Sequence, residues 1–247
     1  MMKEMKIFWP SMLTFLCLSS GFVGIIFSFQ GKYDYSLVLL LVALGFDGLD
    51  GKLARYLNCA SPFGAKLDDF ADIIAFVLLP GYCIYHFFYD LVGSDSSIKI
   101  IAVLISLIFI IPGFIRLARL NVYLTKPNSL KSFIGLPQAP IGIIIISTIH
   151  LLTSYNSLSN MLAMSVLVTI EIIGAILMVS TIKFSRFPTI SIVKLITIIF
   201  GLVMIGIGTF SLANTNILIF CITLFSFAYI MSPLVSILLF RFSHKGN

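Results

Sequence analysis

The sequence predicts an all-α integral membrane protein with about eight transmembrane helices and both termini in the cytoplasm, and three observations lead there. Hydrophobic residues fill 59% of the 247 positions and charged residues only 11%, against about 25% charged in ordinary soluble domains. Mean hydropathy is +1.10. Apolar runs long enough to cross a bilayer, about 20 residues each, follow one another with short connections.

The spans are read in order as residues 11–29, 35–57, 64–88, 98–123, 138–154, 161–179, 191–210 and 217–240. The first follows Lys3 and Lys6, runs long and lacks a small-residue cleavage pattern, so it is expected to be retained as a helix. The second turns charged in its last turns, and Asn58, Ser61, Pro62 and Gly64 then mark a short turn into the third. The fourth ends on Arg116 and Arg119, and the fifth opens after Gly135-Leu136-Pro137. The sixth carries Glu171 near its middle, where a charge is expensive and implies a partner or a function. The seventh and eighth are apolar without a recognisable motif. No soluble domain fits between the spans, so residues 1–247 are read as one membrane domain.

Basic residues orient the chain, because cytoplasmic loops are enriched in Lys and Arg. With eight spans, the side holding both termini receives Lys3, Lys6, Lys52, Arg55, Lys66, Arg116, Arg119, Lys126, Lys131, Lys183, Arg186, Lys194, Arg241 and Lys245, and the other side only Lys32 and Lys99. That bias makes the first side cytoplasmic. The net charge of +6 is explained by topology and by attraction to anionic headgroups, and it implies no nucleic-acid partner. Cys17, Cys59, Cys83 and Cys221 have neither metal nor disulfide spacing, and the three histidines sit singly near span ends.

One stretch departs from this apolar background. Asp47, Asp50, Asp68, Asp69 and Asp72 are half of the ten acidic residues, gathered where the second and third spans meet. Asp47 and Asp50 are three apart and share a helical face, as do Asp68 and Asp72, four apart. Asp69 points about 100° away from Asp68. Four carboxylates converging between two antiparallel helices repel one another, and a lipid-bordered site sharpens the repulsion. Divalent cations relieve it. An all-oxygen donor set without His or Cys suits Mg²⁺ or Mn²⁺, and Ca²⁺ as well. Four carboxylates can support two ions, the arrangement that clamps an in-line displacement at phosphorus. Gly51, Ala54 and Gly64 would let a phosphate or nucleotide approach the backbone, and Arg55 offers a planar fork for phosphate oxygens.

The pattern Asp47-x-x-Asp50-Gly51-x-x-Ala54-Arg55-x8-Gly64-x3-Asp68-x3-Asp72 resembles the signature of the CDP-alcohol phosphotransferases at every fixed position. These enzymes move a phosphatidyl-type group from a CDP-linked lipid to an alcohol and release CMP. The resemblance implies that Asp47, Asp50 and Asp68 are metal ligands, that Asp72 is ligand and general base, and that Gly51, Ala54, Arg55 and Gly64 form the CDP site. Further segments are similar to the phosphatidylserine synthase branch: WPSMLTFLCLSSGF (9–22, with Ser11 in place of a usual Asn), FIRLARLNVY (114–123), FIGLPQAP (133–140, with Gln138 in place of a common Ser) and LMVSTIKFSRF (177–187).

The resemblance therefore implies CDP-diacylglycerol and L-serine as substrates and a multi-pass location in a bacterial cytoplasmic membrane, and it is compatible with a homodimer; the Lys and Arg bias puts the acidic motif, and with it the expected active site, at the cytoplasmic face. Arg116 and Arg119, at i and i+3 on one face, are candidates to fork the serine carboxylate, with Lys131 as a further acceptor-binding candidate. Glycerol 3-phosphate, inositol phosphate or choline as acceptor is the nearer alternative. A cation transporter with an acidic intramembrane site is the distant one.

Overall fold

The computed structural model describes residues 2–92, 96–124, 132–155, 159–185 and 223. Among them the chain is helical apart from two three-residue strands. The helices are α1 (Met2–Ser28), α2 (Tyr33–Tyr56), α3 (Pro62–Asp72), α4 (Leu79–Val92), α5 (Ser96–Leu124), α6 (Gln138–Tyr155) and α7 (Asn160–Val179). A π-helical turn, Ile73–Leu78, joins α3 to α4 into one continuous rod. Among the described residues four stretches are long and apolar enough to cross a membrane: Phe8–Ser28, Pro62–Leu91, Lys99–Leu120 and Asn160–Val179. Gln138–Ser154 is apolar but shorter. Helix α2 has the length, but Asp47, Asp50, Lys52 and Arg55 make its last turns polar. These segments coincide with the first six expected spans. The two remaining ones, 191–210 and 217–240, lie outside the described residues except for residue 223.

The first helix begins nine residues before the expected start at residue 11, so Pro10 lies inside it. Helix α1 is the organising element. It packs against α2, α3, the π-helical turn and α4. Close packing is possible because Gly21 has no side chain: a Cβ there would lie 2.6 Å from the Ala75 Cα. In a membrane, where apolar side chains gain little by leaving lipid, such small-residue contacts let helices approach. Ser36 of α2 adds an interhelical hydrogen bond, its hydroxyl donating to the Gly24 carbonyl at 2.9 Å. Helices α2 and α3 make few direct contacts with each other. Both lean on α1, which leaves a gap between them at the acidic end.

The turn between α2 and α3 is locally specified. Asn58 adopts φ 51°, the left-handed conformation that Asn tolerates better than most residues. Its amide bonds to the Arg55 carbonyl and that of Cys59 to the Ala54 carbonyl, which closes the end of α2 in a Schellman arrangement. Ser61 then caps α3, its hydroxyl accepting from the Gly64 amide at 3.0 Å, and Pro62 stands in the first turn.

Just before α6 and just after α7, β1 (Ser132–Ile134) pairs antiparallel with β2 (Lys183–Ser185). Gly135 follows at φ +79°, and a Cβ there would meet the Met178 carbonyl oxygen at 2.2 Å. The Gly135 amide bonds to the Ile182 carbonyl and the Leu136 amide to the Leu177 carbonyl. Thus residues 133–136 and 177–185, parts of two segments singled out separately in the sequence, are the two halves of one docking contact.

At the opposite end of the helices from the Asp residues, Phe29, Tyr33, Tyr82, Tyr85 and His86 cluster, and Lys99 lies over the Tyr89 ring. His86 Nδ1 lies 3.1 Å from the Tyr33 hydroxyl and 3.0 Å from Asp90. Aromatic collars of this kind mark membrane–water interfaces.

Candidate active site

Three of the predicted carboxylates meet. Asp47 and Asp50 from the end of α2 and Asp68 from α3 each present an oxygen atom within 4.8 Å of the others. Asp72, on the next turn of α3, is near enough to Asp47 and Asp68 to interact electrostatically with both. The donor set fits divalent metal: the Oδ1 atoms of Asp68 and Asp72 are buried without a hydrogen-bond partner among the described residues, and buried anionic oxygens in that condition call for a cation. Asp69 leaves the cluster as its helical position requires, and it accepts from Lys66 Nζ at 2.9 Å.

Asp50 is 4% exposed and is oriented by Thr14 of α1, whose hydroxyl lies 2.7 Å from Asp50 Oδ2 and 3.1 Å from the Pro10 carbonyl. Thr14 was not among the residues singled out by charge. Its signal was a polar residue four positions after a proline in an otherwise apolar span.

A pocket opens beside the cluster, lined by Pro10, Ser11, Thr14, Asp50, Gly51, Ala54, Arg55, Cys59, Ala60, Ser61, Gly64, Ala65 and Asp68. All four residues expected at a nucleotide, Gly51, Ala54, Arg55 and Gly64, are on its wall. The reason for glycine at position 51 can be decided here. A Cβ on Gly51 would touch only the tips of Arg55, 4.0 Å away. Among the described residues no neighbouring helix requires a small residue there, and Gly51 lines the pocket. The N-terminus of α3 also faces this pocket through Ser61, Gly64 and Ala65, and its amide groups and dipole favour an anion.

The two arginines separate. Arg116 is 6% exposed. Its Nη1 donates to Gln138 Oε1 at 2.9 Å, and it is near enough to Asp72 to act on it electrostatically. Arg119 turns to the end of α7, donating to the Val179 carbonyl and, at 2.8 Å, to the Ser180 carbonyl. A cation on these last carbonyls complements the helix dipole. Lys131 lies outside the described residues. Glu171 is fully buried in α7, and its carboxylate oxygens have no hydrogen-bond partner among the described residues. Cys17, Cys59 and Cys83 are buried and form no disulfide among the described residues.

A helical membrane bundle with clustered carboxylates beside an anion-favouring pocket defines a class of site suited to phosphoryl chemistry on a lipid. The chain belongs to the CDP-alcohol phosphatidyltransferase family, whose model matches residues 7–181. It is 32% identical over 182 residues to the CDP-diacylglycerol–serine O-phosphatidyltransferase of Helicobacter pylori strain 26695, covering 74% of this chain and 73% of that one. It is 32% identical over 179 residues to the archaetidylserine synthase of Methanothermobacter thermautotrophicus, covering 72% and 69%. With the CDP-diacylglycerol–serine O-phosphatidyltransferase of Methanocaldococcus jannaschii it shares 29% identity over 200 residues, 81% of this chain and 85% of that one.

Proposed function

We propose that this enzyme transfers the phosphatidyl group of CDP-diacylglycerol to L-serine, giving phosphatidylserine and CMP by direct displacement at the cytoplasmic face of the membrane. The observation that carries the reading is the meeting of Asp47, Asp50 and Asp68 within 4.8 Å, with Asp50 and Asp68 on the wall of a pocket that Gly51, Ala54, Arg55 and Gly64 also line. The names of the relatives support serine as acceptor.

Asp47, Asp50, Asp68 and Asp72 would hold the metal, two ions of Mg²⁺ or Mn²⁺. When bound, these supply Lewis-acid stabilisation of the pyrophosphate and the leaving CMP. Arg55 and the α3 N-terminus bind the cytidine diphosphate, and Thr14 fixes the orientation of Asp50. Asp72 accepts the serine hydroxyl proton. The serine oxygen forms a bond to the phosphorus that carries diacylglycerol, the bond from that phosphorus to the bridging oxygen breaks, and CMP departs with the electron pair. Arg116, beside Asp72, holds the serine carboxylate, which brings the hydroxyl to the base and makes the step effectively intramolecular.

The test is CMP release from CDP-diacylglycerol by purified protein after chelation with EDTA. Activity is expected to vanish and to return with Mg²⁺ or Mn²⁺. Undiminished release from metal-stripped protein would refute the metal-dependent reading. A cation transporter would instead move ions into vesicles with no CDP-lipid present.

A further inference from the structure

We propose that Gln138 is a positioning residue that sets acceptor preference by holding the Arg116 guanidinium beside Asp72; this rests on the reading of Arg116 as the acceptor's carboxylate partner. Gln138 is 2% exposed, at the first position of α6. Both ends of its amide are used. Oε1 accepts from Arg116 Nη1 at 2.9 Å, and Nε2 donates to the Gly113 carbonyl at 2.7 Å. The orientation of the amide is fixed by its partners: turned over, it would set donor against donor and acceptor against acceptor. Gly113 lies three residues before Arg116 in α5, so Gln138 ties the guanidinium to the backbone of its own helix from outside.

The brace is itself anchored. The two residues two and three positions before Gln138 are bonded to the end of α7, Leu136 to the Leu177 carbonyl and Gly135 to the Ile182 carbonyl. Arg119 grips the same helix end through the Val179 and Ser180 carbonyls. Helices α5, α6 and α7 therefore converge on one rigid corner, and Gln138 is the side chain that extends it to Arg116.

Neutrality matters as much as reach. An amide oxygen occupies one guanidinium donor and leaves the cation's charge in place. A carboxylate at this position would pair with Arg116 and compete with an anionic acceptor. With its geometry fixed by a neutral side chain, Arg116 favours an alcohol that carries an anionic group near the reacting hydroxyl.

The experiment uses the full chain in lipid nanodiscs with CDP-diacylglycerol, comparing L-serine with serinol, which replaces the carboxylate by a hydroxymethyl group. Variants are Gln138→Leu, which removes both bonds, Gln138→Glu, which keeps size and acceptor but adds charge, Arg116→Lys, and Gln138→Leu combined with Arg116→Lys. Gln138→Leu and Gln138→Glu are expected to raise the serine KM about 10-fold or more, the scale of a lost charge-assisted bond, with the CDP-diacylglycerol KM held within about 2-fold. The preference for serine over serinol should fall by the same factor, and the double variant should add little to Arg116→Lys alone. An unchanged serine KM in both Gln138 variants, with a raised one in Arg116→Lys, would overturn the positioning role and leave the acceptor reading standing. A parallel rise in both KM values would make Gln138 a packing residue and overturn the proposal. Unchanged serine KM and unchanged preference in every variant, Arg116→Lys included, would refute the acceptor reading beneath it.

Discussion

At the scale of single residues, the site separates groups that composition cannot. Asp68 and Asp69 are adjacent and chemically identical, yet Asp68 meets Asp47 and Asp50 while Asp69 pairs with Lys66. Asp68→Asn is therefore expected to cost at least about 100-fold in CMP release, the size of a lost electrostatic contribution in a preorganised site, and Asp69→Asn far less. Equal losses would show that the face of α3 is misassigned. Gly51 gives a second test, because fold and function pull in opposite directions there. Alanine is better by about 0.5–1 kcal/mol than glycine inside a helix, and among the described residues no neighbouring helix stands in its way. Gly51→Ala should leave thermal stability unchanged or raised. It should also raise the CDP-diacylglycerol KM by about tenfold, if the added methyl overpacks the pocket by roughly 1–3 kcal/mol. Lower stability with unchanged KM would return Gly51 to a packing role. These residues were legible in the sequence because helical spacing alone sorts Asp68 and Asp72 from Asp69. Thr14 was not, since a threonine in a membrane helix usually bonds its own backbone. Only the tertiary contact to Asp50 at 2.7 Å gives it a function.

At the scale of elements, the sequence located the helices well where lipid dictates the pattern and less well where contacts do. The turn Asn58–Pro62 was readable because each residue there has a local backbone task. The π-helical turn Ile73–Leu78, directly after Asp72, was not, because it is an adjustment of register with no composition of its own; such turns recur at functional sites. The pairing of 132–134 with 183–185 was likewise hidden, since strands of three residues carry too little periodicity to read. The two arginines show the same limit. Spacing at i and i+3 placed Arg116 and Arg119 on one face of α5, but helix ends packed nearby gave them different partners. Arg119→Ala removes the cation from the C-terminal carbonyls of α7 and is expected to destabilise the protein by about 1–3 kcal/mol. Thermal unfolding in detergent measures this, and the serine KM of the folded fraction should stay at the wild-type value. A raised serine KM at unchanged stability would place Arg119 in the acceptor site with Arg116.

At the scale of the whole molecule, polarity is distributed along one axis. The carboxylate cluster, the pocket and the arginine corner occupy one end of the helices, and the aromatic collar around Tyr33, Tyr82 and His86 occupies the other. Helix α2 alone separates Tyr33 from Asp50 by 17 residues, about 25 Å at 1.5 Å per residue, close to the thickness of a hydrocarbon core. The basic residues expected on the cytoplasmic side include Lys52, Arg55 and Lys66 beside the acidic motif, so the water-soluble acceptor and the CMP product would exchange at that face while the acyl chains stay in lipid. Within that arrangement the central claim concerns what arrives as acceptor. Purified protein supplied with CDP-diacylglycerol and Mg²⁺ or Mn²⁺ can be offered L-serine, glycerol 3-phosphate, inositol phosphate or choline in turn, with CMP and the lipid product both quantified. The account predicts CMP release matched by phosphatidylserine when L-serine is present, little release with the other alcohols, and loss of both products in Asp68→Asn. Faster transfer to another alcohol than to L-serine, or products that persist in Asp68→Asn, would contradict it.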